Sequence, residues 1–387
     1  MLNLDLKALT SDLRIEEISS ASLPYRRPRE AGKNARLDVH GWGGDLPIVR
    51  IKAGGIEAFG WSPLSHSQAE LLTGFPIRAF FHDDIMLKSE YKGIEFPLLD
   101  WLGRYFHKPV YELAARTPEK LSKDFSIPVY DTTIYFDELH IKDDNEAVKY
   151  LLDEVSQGLG RGHKHFKIKI GRCGMWMPLL EGLKRDIAIV NGIRDFVGPE
   201  AKLMVDANNA FNLNITKEFL KATKDAKVYW LEEAFHEDNM LYAKLKEWMK
   251  EQGIATLIAD GEGQASPSIV DWVKQCLIDV FQYNVRFHGF FYMMQLYRDL
   301  EPFKVLYAPH NYGGFYGNYA TAHIASCTEK FIFGEFDVAD AEGIDTSAYK
   351  IKEGRLEVPR LDGFGLSLDN TVFEKYREQK GYRIRML

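Results

Sequence analysis

Along the second half of the chain, polar residues follow or end short apolar runs at a nearly constant interval. From Asp206 onward these are Asp206, Glu232, Glu262, Asn284, His310 and Glu335, separated by 26, 30, 22, 26 and 25 residues. Lys169 ends an earlier run of the same kind. The interval is the length of one strand, one helix and two turns. A polar residue at each repeated strand end is how a (β/α)-barrel assembles a site, because the loops beyond the C-terminal strand ends converge on one mouth. Three carboxylates in series point to a hard cation with oxygen ligands. A lysine on one flank and a histidine on the other point to two proton-transfer groups.

The 387 residues accommodate such a barrel with a second unit before it. Residues 1–125 read as an α+β unit: strands at 46–52 and 55–61, a helix near 97–106, and loops at 24–34 and 40–45. Residues 126–341 read as the barrel, with strands expected at 128–135, 165–170, 202–205, 228–231, 256–259, 278–282, 304–307 and 331–334 and amphipathic helices between them, such as 187–196 and 241–250. Residues 342–387 break the period and are expected to return to the first unit. The net charge of −7 and the lack of a basic block argue against a nucleic-acid partner. No apolar run reaches the roughly 20 residues of a membrane span, and the N-terminal stretch does not read as a secretory signal. Three scattered cysteines, Cys173, Cys276 and Cys327, fit a reducing, cytoplasmic setting.

Strand alternation puts Lys167 and Lys169 on one face. In a barrel that face is the interior, where a lysine beside a second cation has a lowered pKa and serves as a base. On an edge strand both lysines would simply be solvated. Asp206, Glu232 and Glu262 end three consecutive strands, which lie about 4.8 Å apart. Carboxylates that close repel unless a cation holds them, and Mg²⁺ suits the set. A single acidic strand end is more often a helix cap. Glu335 reads either as a protonated carboxyl that donates a hydrogen bond to an oxyanion or as a salt-bridge partner.

Together the Lys-x-Lys strand, the Asp-x-Asn, Glu-Glu and Gly-Glu strand ends and the Pro-His segment resemble the enolase superfamily, in its mandelate racemase branch. The resemblance implies an enolase-like TIM barrel with an α+β capping domain. It implies Mg²⁺ on Asp206, Glu232 and Glu262, acid/base roles for Lys169 and His310, Lys167 near the substrate carboxylate, and Glu335 assisting the enolate. It places Asn208 near the substrate and puts Tyr25, Arg26, Arg27 and Trp61 of the capping unit at its far end. One departure stands out: Asn284 occupies the position where the family carries an aspartate paired with the histidine. Asparagine could orient His310 by a hydrogen bond but could not stabilise an imidazolium by charge. The implied activity is dehydration of an acid sugar by α-proton abstraction, in a homo-oligomeric enzyme. The alternatives are racemisation or epimerisation of a 2-hydroxy acid, and a sugar-acid binder that has lost catalysis.

Overall fold

The computed structural model describes residues 2–5, 8–10, 13–263 and 265–386. Its N-terminal part is an antiparallel meander of β1 (Ile15–Ala31), β2 (Gly41–Ala53) and β3 (Ile56–Trp61). Two segments expected to be loops are therefore largely strand. Residues 24–31 belong to β1, and the Gly-rich stretch starts β2. The pairing tolerates this composition because the glycines lie against β1. Gly43, at φ 154°, pairs with Arg26, and a Cβ there would sit 2.0 Å from the Tyr25 carbonyl oxygen. A register shift between Arg26 and Ala31 absorbs the remaining mismatch. The helix Glu95–Tyr105 covers the sheet, burying Phe96, Leu98, Leu99, Trp101 and Leu102.

Eight parallel strands among the described residues follow. They are β4 (Ser126–Ile134), β5 (Phe166–Lys169), β6 (Leu203–Asp206), β7 (Trp230–Glu232), β8 (Leu257–Asp260), β9 (Val280–Phe281), β10 (Leu306–Tyr307) and β11 (Gly334–Phe336). Each pairs with the next as far as β10, and β11 pairs with β4. Closure between β10 and β11 is a single parallel bridge, Tyr307 to Phe331. The Tyr307 N–H donates to Lys330 at 3.0 Å and the Ile332 N–H donates to Tyr307 at 2.9 Å. The barrel is closed, which leaves no exposed edge.

Alternation sorts the barrel interior into two layers. Tyr130, Met204, Trp230, Ala259, Val280, Ala308 and Phe333 form a buried apolar plug. Two residues further along several of these strands come Asp206, Glu232, Gln282, His310 and Glu335, so a polar layer sits directly above the plug. The plug anchors that layer, and Trp230→Ala is expected to cost about 3–5 kcal/mol.

The segment after the barrel makes contacts at both ends of the fold. β12 (Asp340–Ala341) and the strand Tyr382–Arg385 both pair with β1. The strand Arg355–Glu357 pairs antiparallel with the start of β4. No helix among the described residues is long and apolar enough to cross a membrane.

Candidate active site

Asp206 and Glu232 are the last residues of β6 and β7, and Glu262 lies two residues beyond β8. None of them caps a helix. The helices after β6 and β7 are capped by Asn212 and Asp238, which accept backbone N–H bonds of their first turns. The strand-end carboxylates are thus directed into the barrel mouth.

Lys167 and Lys169 share the interior face, both almost fully buried. Lys167 Nζ donates to Glu232 at 2.6 Å and lies 2.9 Å from Glu335 and 3.4 Å from Asp206. Lys169 is paired with Asp206. Across the mouth, His310 Nδ1 lies 2.6 Å from Glu262 and 3.2 Å from Glu335. Glu335 also accepts from Thr132 Oγ1 and from the Asn311 N–H, each at 2.6 Å. Four carboxylates and three basic groups therefore interlock in one buried cluster.

This environment sets protonation, and two of the directions oppose expectation. Burial alone would lower both lysines, yet Glu232, Glu335 and Asp206 raise Lys167, and Asp206, Glu262 and Glu232 raise Lys169, so neither has the lowered pKa of a ready base. Burial would raise Glu335, but Lys167 and His310 hold it at about 2, so it is ionised and is not a protonated donor. Burial, with Lys167 opposing, sends Glu232 up to about 8. Burial opposes the charge on His310, yet Glu262 and Glu335 raise its pKa, favouring imidazolium. Glu262 is correspondingly held well below the carboxylate range against its burial, chiefly by His310.

Asn284 does not orient His310. Its Oδ1 accepts the backbone N–H groups of Arg286 and Phe287, at 2.9 and 3.3 Å, as the cap of the short helix Val285–His288. Its Nδ2 is buried without a partner. Asparagine prefers this cap position because its carboxamide oxygen reaches the first orphan amides. Glu335 and Glu262 supply the charge beside His310 instead. Asn208 folds back, its N–H to Asp206 at 2.9 Å and its Nδ2 to Glu233 at 2.9 Å, leaving a buried Oδ1 free. Asn208, Asn209 and Glu233 all have positive φ, a cluster of backbone strain typical of functional sites.

The capping residues divide. Tyr25 reaches the Gly313 carbonyl at 3.4 Å, and Trp61 packs edge-on against Phe96 and Phe287. Arg26 is exposed, with its guanidinium over the Trp42 ring at 4.7 Å. Arg27 is buried and makes two bonds to Asp337, at 2.9 and 2.8 Å, so its charge is already matched. Neighbours in β1 face opposite sides, which explains the split.

Sequence reasoning missed Gln282, which lies just beyond β9 and donates to Glu232 at 2.8 Å. The two-residue offset from Val280 would have found it. It also missed Tyr135 and Tyr312, whose rings flank Lys169 and Arg27; side-chain convergence of that kind leaves no local signal.

Oxygens of Glu232 and Glu262 and a His310 nitrogen lie within 4.8 Å of one another. Glu262 Oε2 is buried without a well-directed hydrogen bond, despite His310 nearby. Imidazole is a poor ligand for Mg²⁺, whereas carboxylates suit it. Asp206, now drawn to the lysines, completes an all-oxygen set with Glu232 and Glu262. The residues fit Mg²⁺.

A closed barrel with a buried carboxylate–lysine–histidine cluster at its C-terminal mouth defines a metal-assisted proton-transfer enzyme. The enolase C-terminal domain-like family model matches residues 150–372, and the chain belongs to that family, within the mandelate racemase branch of the enolase superfamily. A galacturonate dehydratase from Geobacillus sp., solved with D-galacturonate and 5-keto-4-deoxy-D-galacturonate, is 43% identical, with a TM-score of 0.93 over 97% of this chain and 99% of that one. An alanine variant of galacturonate dehydratase from Geobacillus sp., complexed with Mg, is 42% identical, with a TM-score of 0.97 over 100% of both chains. Arabinonate dehydratase of Saccharolobus solfataricus is 24% identical over 290 residues, 74% of this chain and 71% of its own length.

Proposed function

We propose that this chain is a Mg²⁺-dependent hydro-lyase that dehydrates an acid sugar, with a hexuronate of the galacturonate type as its substrate. The observation that carries this reading is the placement of Lys169 and His310 on opposite sides of one carboxylate cluster. The likeness over the full length to a galacturonate dehydratase supports the substrate class.

Asp206, Glu232 and Glu262 would hold the cation. Bound there, Mg²⁺ would stabilise the developing enediolate and counter the carboxylates that otherwise keep the lysines protonated. Lys169 then takes the proton from the carbon α to the substrate carboxylate. Lys167 stays protonated and orients that carboxylate. His310, held as imidazolium between Glu262 and Glu335, gives its proton to the β-hydroxyl, which leaves as water. One C–H and one C–O bond break, and the resulting enol tautomerises to the ketone.

Racemisation needs a second base, and the paired carboxylates favour His310 as an acid, so dehydration ranks first. The reading as an impaired binder rested on Asn284 alone, and the charge it lacks is supplied by Glu335 and Glu262. A cytoplasmic location fits the three free cysteines; a homo-oligomeric state is expected from the resemblance and is checked by light scattering on a sizing column.

The deciding experiment incubates the protein with Mg²⁺ and D-galacturonate or other acid sugars in D₂O, followed by NMR. Deuterium uptake with loss of the β-hydroxyl is expected, and Lys169→Ala and His310→Ala should abolish turnover. Stereoinversion without water loss would put racemisation first, and no exchange with any acid sugar would sink the reading.

A further inference from the structure

Arg286 lies in the short helix Val285–His288 after β9, 6% exposed, and plays no part in the mechanism above. It makes no ion pair among the described residues, and its buried Nε has no hydrogen-bond partner. A buried cation without a counter-charge is costly to hold. Its neighbours are aromatic, with the guanidinium carbon 5.6 Å from the Trp61 ring centre and 5.2 Å from that of Phe287. The nearby carboxylate of Asp337 is already bonded twice to Arg27.

The guanidinium also lies against the backbone of Gly314. A Cβ built there would fall 2.2 Å from a terminal nitrogen and 2.3 Å from Cζ. Gly314 begins the ten-residue helix Phe315–Ile324, which has no side-chain cap. A helix N-terminus carries roughly half a positive charge. Two positive groups thus meet at the helix that follows the barrel's seventh strand, and the carboxylate nearest them, Asp337, is already engaged by Arg27 and by the Gly313 N–H. That region of a barrel commonly receives anionic groups. Gly314 is four residues from His310, and the Tyr25 hydroxyl reaches the adjacent Gly313 carbonyl at 3.4 Å. The subsite therefore lies between the proton-transfer histidine and the capping residues.

The geometry points to a second anion-binding subsite, made by Arg286 and the N-terminus of the helix Phe315–Ile324, that receives a carboxylate at the far end of the substrate chain. It rests on the acid-sugar reading and extends it to six-carbon diacids. Such a diacid presents one carboxylate to the Asp206–Glu232–Glu262 site and the other to Arg286. Charge-assisted bonds to guanidinium are about twice as strong as neutral ones, so the diacid should bind more tightly than the matching uronate.

The test is calorimetric titration of the Mg²⁺-loaded protein with D-galacturonate and with galactarate, its diacid counterpart. Galactarate is expected to bind at least about tenfold more tightly. Arg286→Gln should erase that preference, and so should Gly314→Ala, whose added methyl displaces the guanidinium while keeping its charge. The second variant serves if the first does not fold. Equal affinities in the wild type, binding of neither acid, or a preference that survives both variants would overturn the proposal. Turnover of galacturonate by the wild type is followed separately: its absence counts against the dehydratase reading and leaves the affinity ratio readable.

Discussion

The capping unit is latched to the barrel by a buried ion pair, and breaking it is the sharpest test of how this fold holds its mouth together. Arg27 on β1 donates two parallel bonds to Asp337, just after β11, at 2.9 and 2.8 Å; the side chains are 5% and 0% exposed. Asp337 Oδ2 also accepts the Gly313 N–H at 3.1 Å, so the latch reaches the loop that follows His310. Arg27→Met leaves Asp337 buried and uncompensated, which costs about 3–5 kcal/mol. With an unfolding entropy of about 2.1 cal/mol/K per residue, a chain of this length should lose roughly 4–6 °C in Tm. The double variant Arg27→Met/Asp337→Asn removes the stranded charge and keeps an acceptor for Gly313. It should recover a large part of that loss, because the penalty lies in the unpaired charge. Both are measured by calorimetric melting with Mg²⁺ present. An Arg27→Met variant within about 1 kcal/mol of wild type, or a double variant no more stable than the single, would refute the account. KM should rise more than kcat falls in Arg27→Met, since β1 also carries Tyr25.

Other outcomes follow from the same structure. Asn284→Ala should lower stability by about 1 kcal/mol through the lost helix cap and leave the acid limb of the pH–rate profile unmoved; a shift of a full pH unit would show that Asn284 acts on His310 after all. Mg²⁺ at a hundredfold over its dissociation constant should stabilise the protein by about 2.7 kcal/mol, and Glu262→Gln should abolish most of that response in a melting assay. His323 is buried and held neutral at about 3; its Nδ1 accepts the Tyr111 N–H at 2.9 Å. Its pKa is depressed below the unfolded value near 6.5, so its contribution is complete above that value and is lost as pH falls toward 3. Between pH 7.5 and 5 this one residue should remove about 2 kcal/mol. Urea unfolding of wild type and His323→Gln at pH 7.5 and 5 reads the difference, and parallel losses in both would refute the assignment.

The barrel was legible because its signal is local and repeated. Each strand is only two to nine residues long, but the polar residue at or just beyond its end recurs with the strand–helix period, and a closed barrel brings all such ends to one mouth. The same alternation that sets Trp230 below Glu232 sets Val280 below Gln282, so that polar layer was written in the chain, although Gln282 was passed over. The capping strands were less legible. Proline and glycine in residues 24–45 read as loop, and only pairing across β1 and β2 makes strands of them.

What the chain could not state was how partners share charge. Whether Asn284 turns toward His310 or toward its own helix depends on two amides that the fold places beside it. Arg27 and Arg286 are alike in composition, yet one pairs with Asp337 and the other makes no ion pair among the described residues. The lysines carry raised pKa values because four carboxylates from separate strands converge on them. Periodicity along the chain determines which residues reach the mouth. Protonation and pairing depend on distances between residues far apart in sequence, and those distances exist only once the barrel has closed.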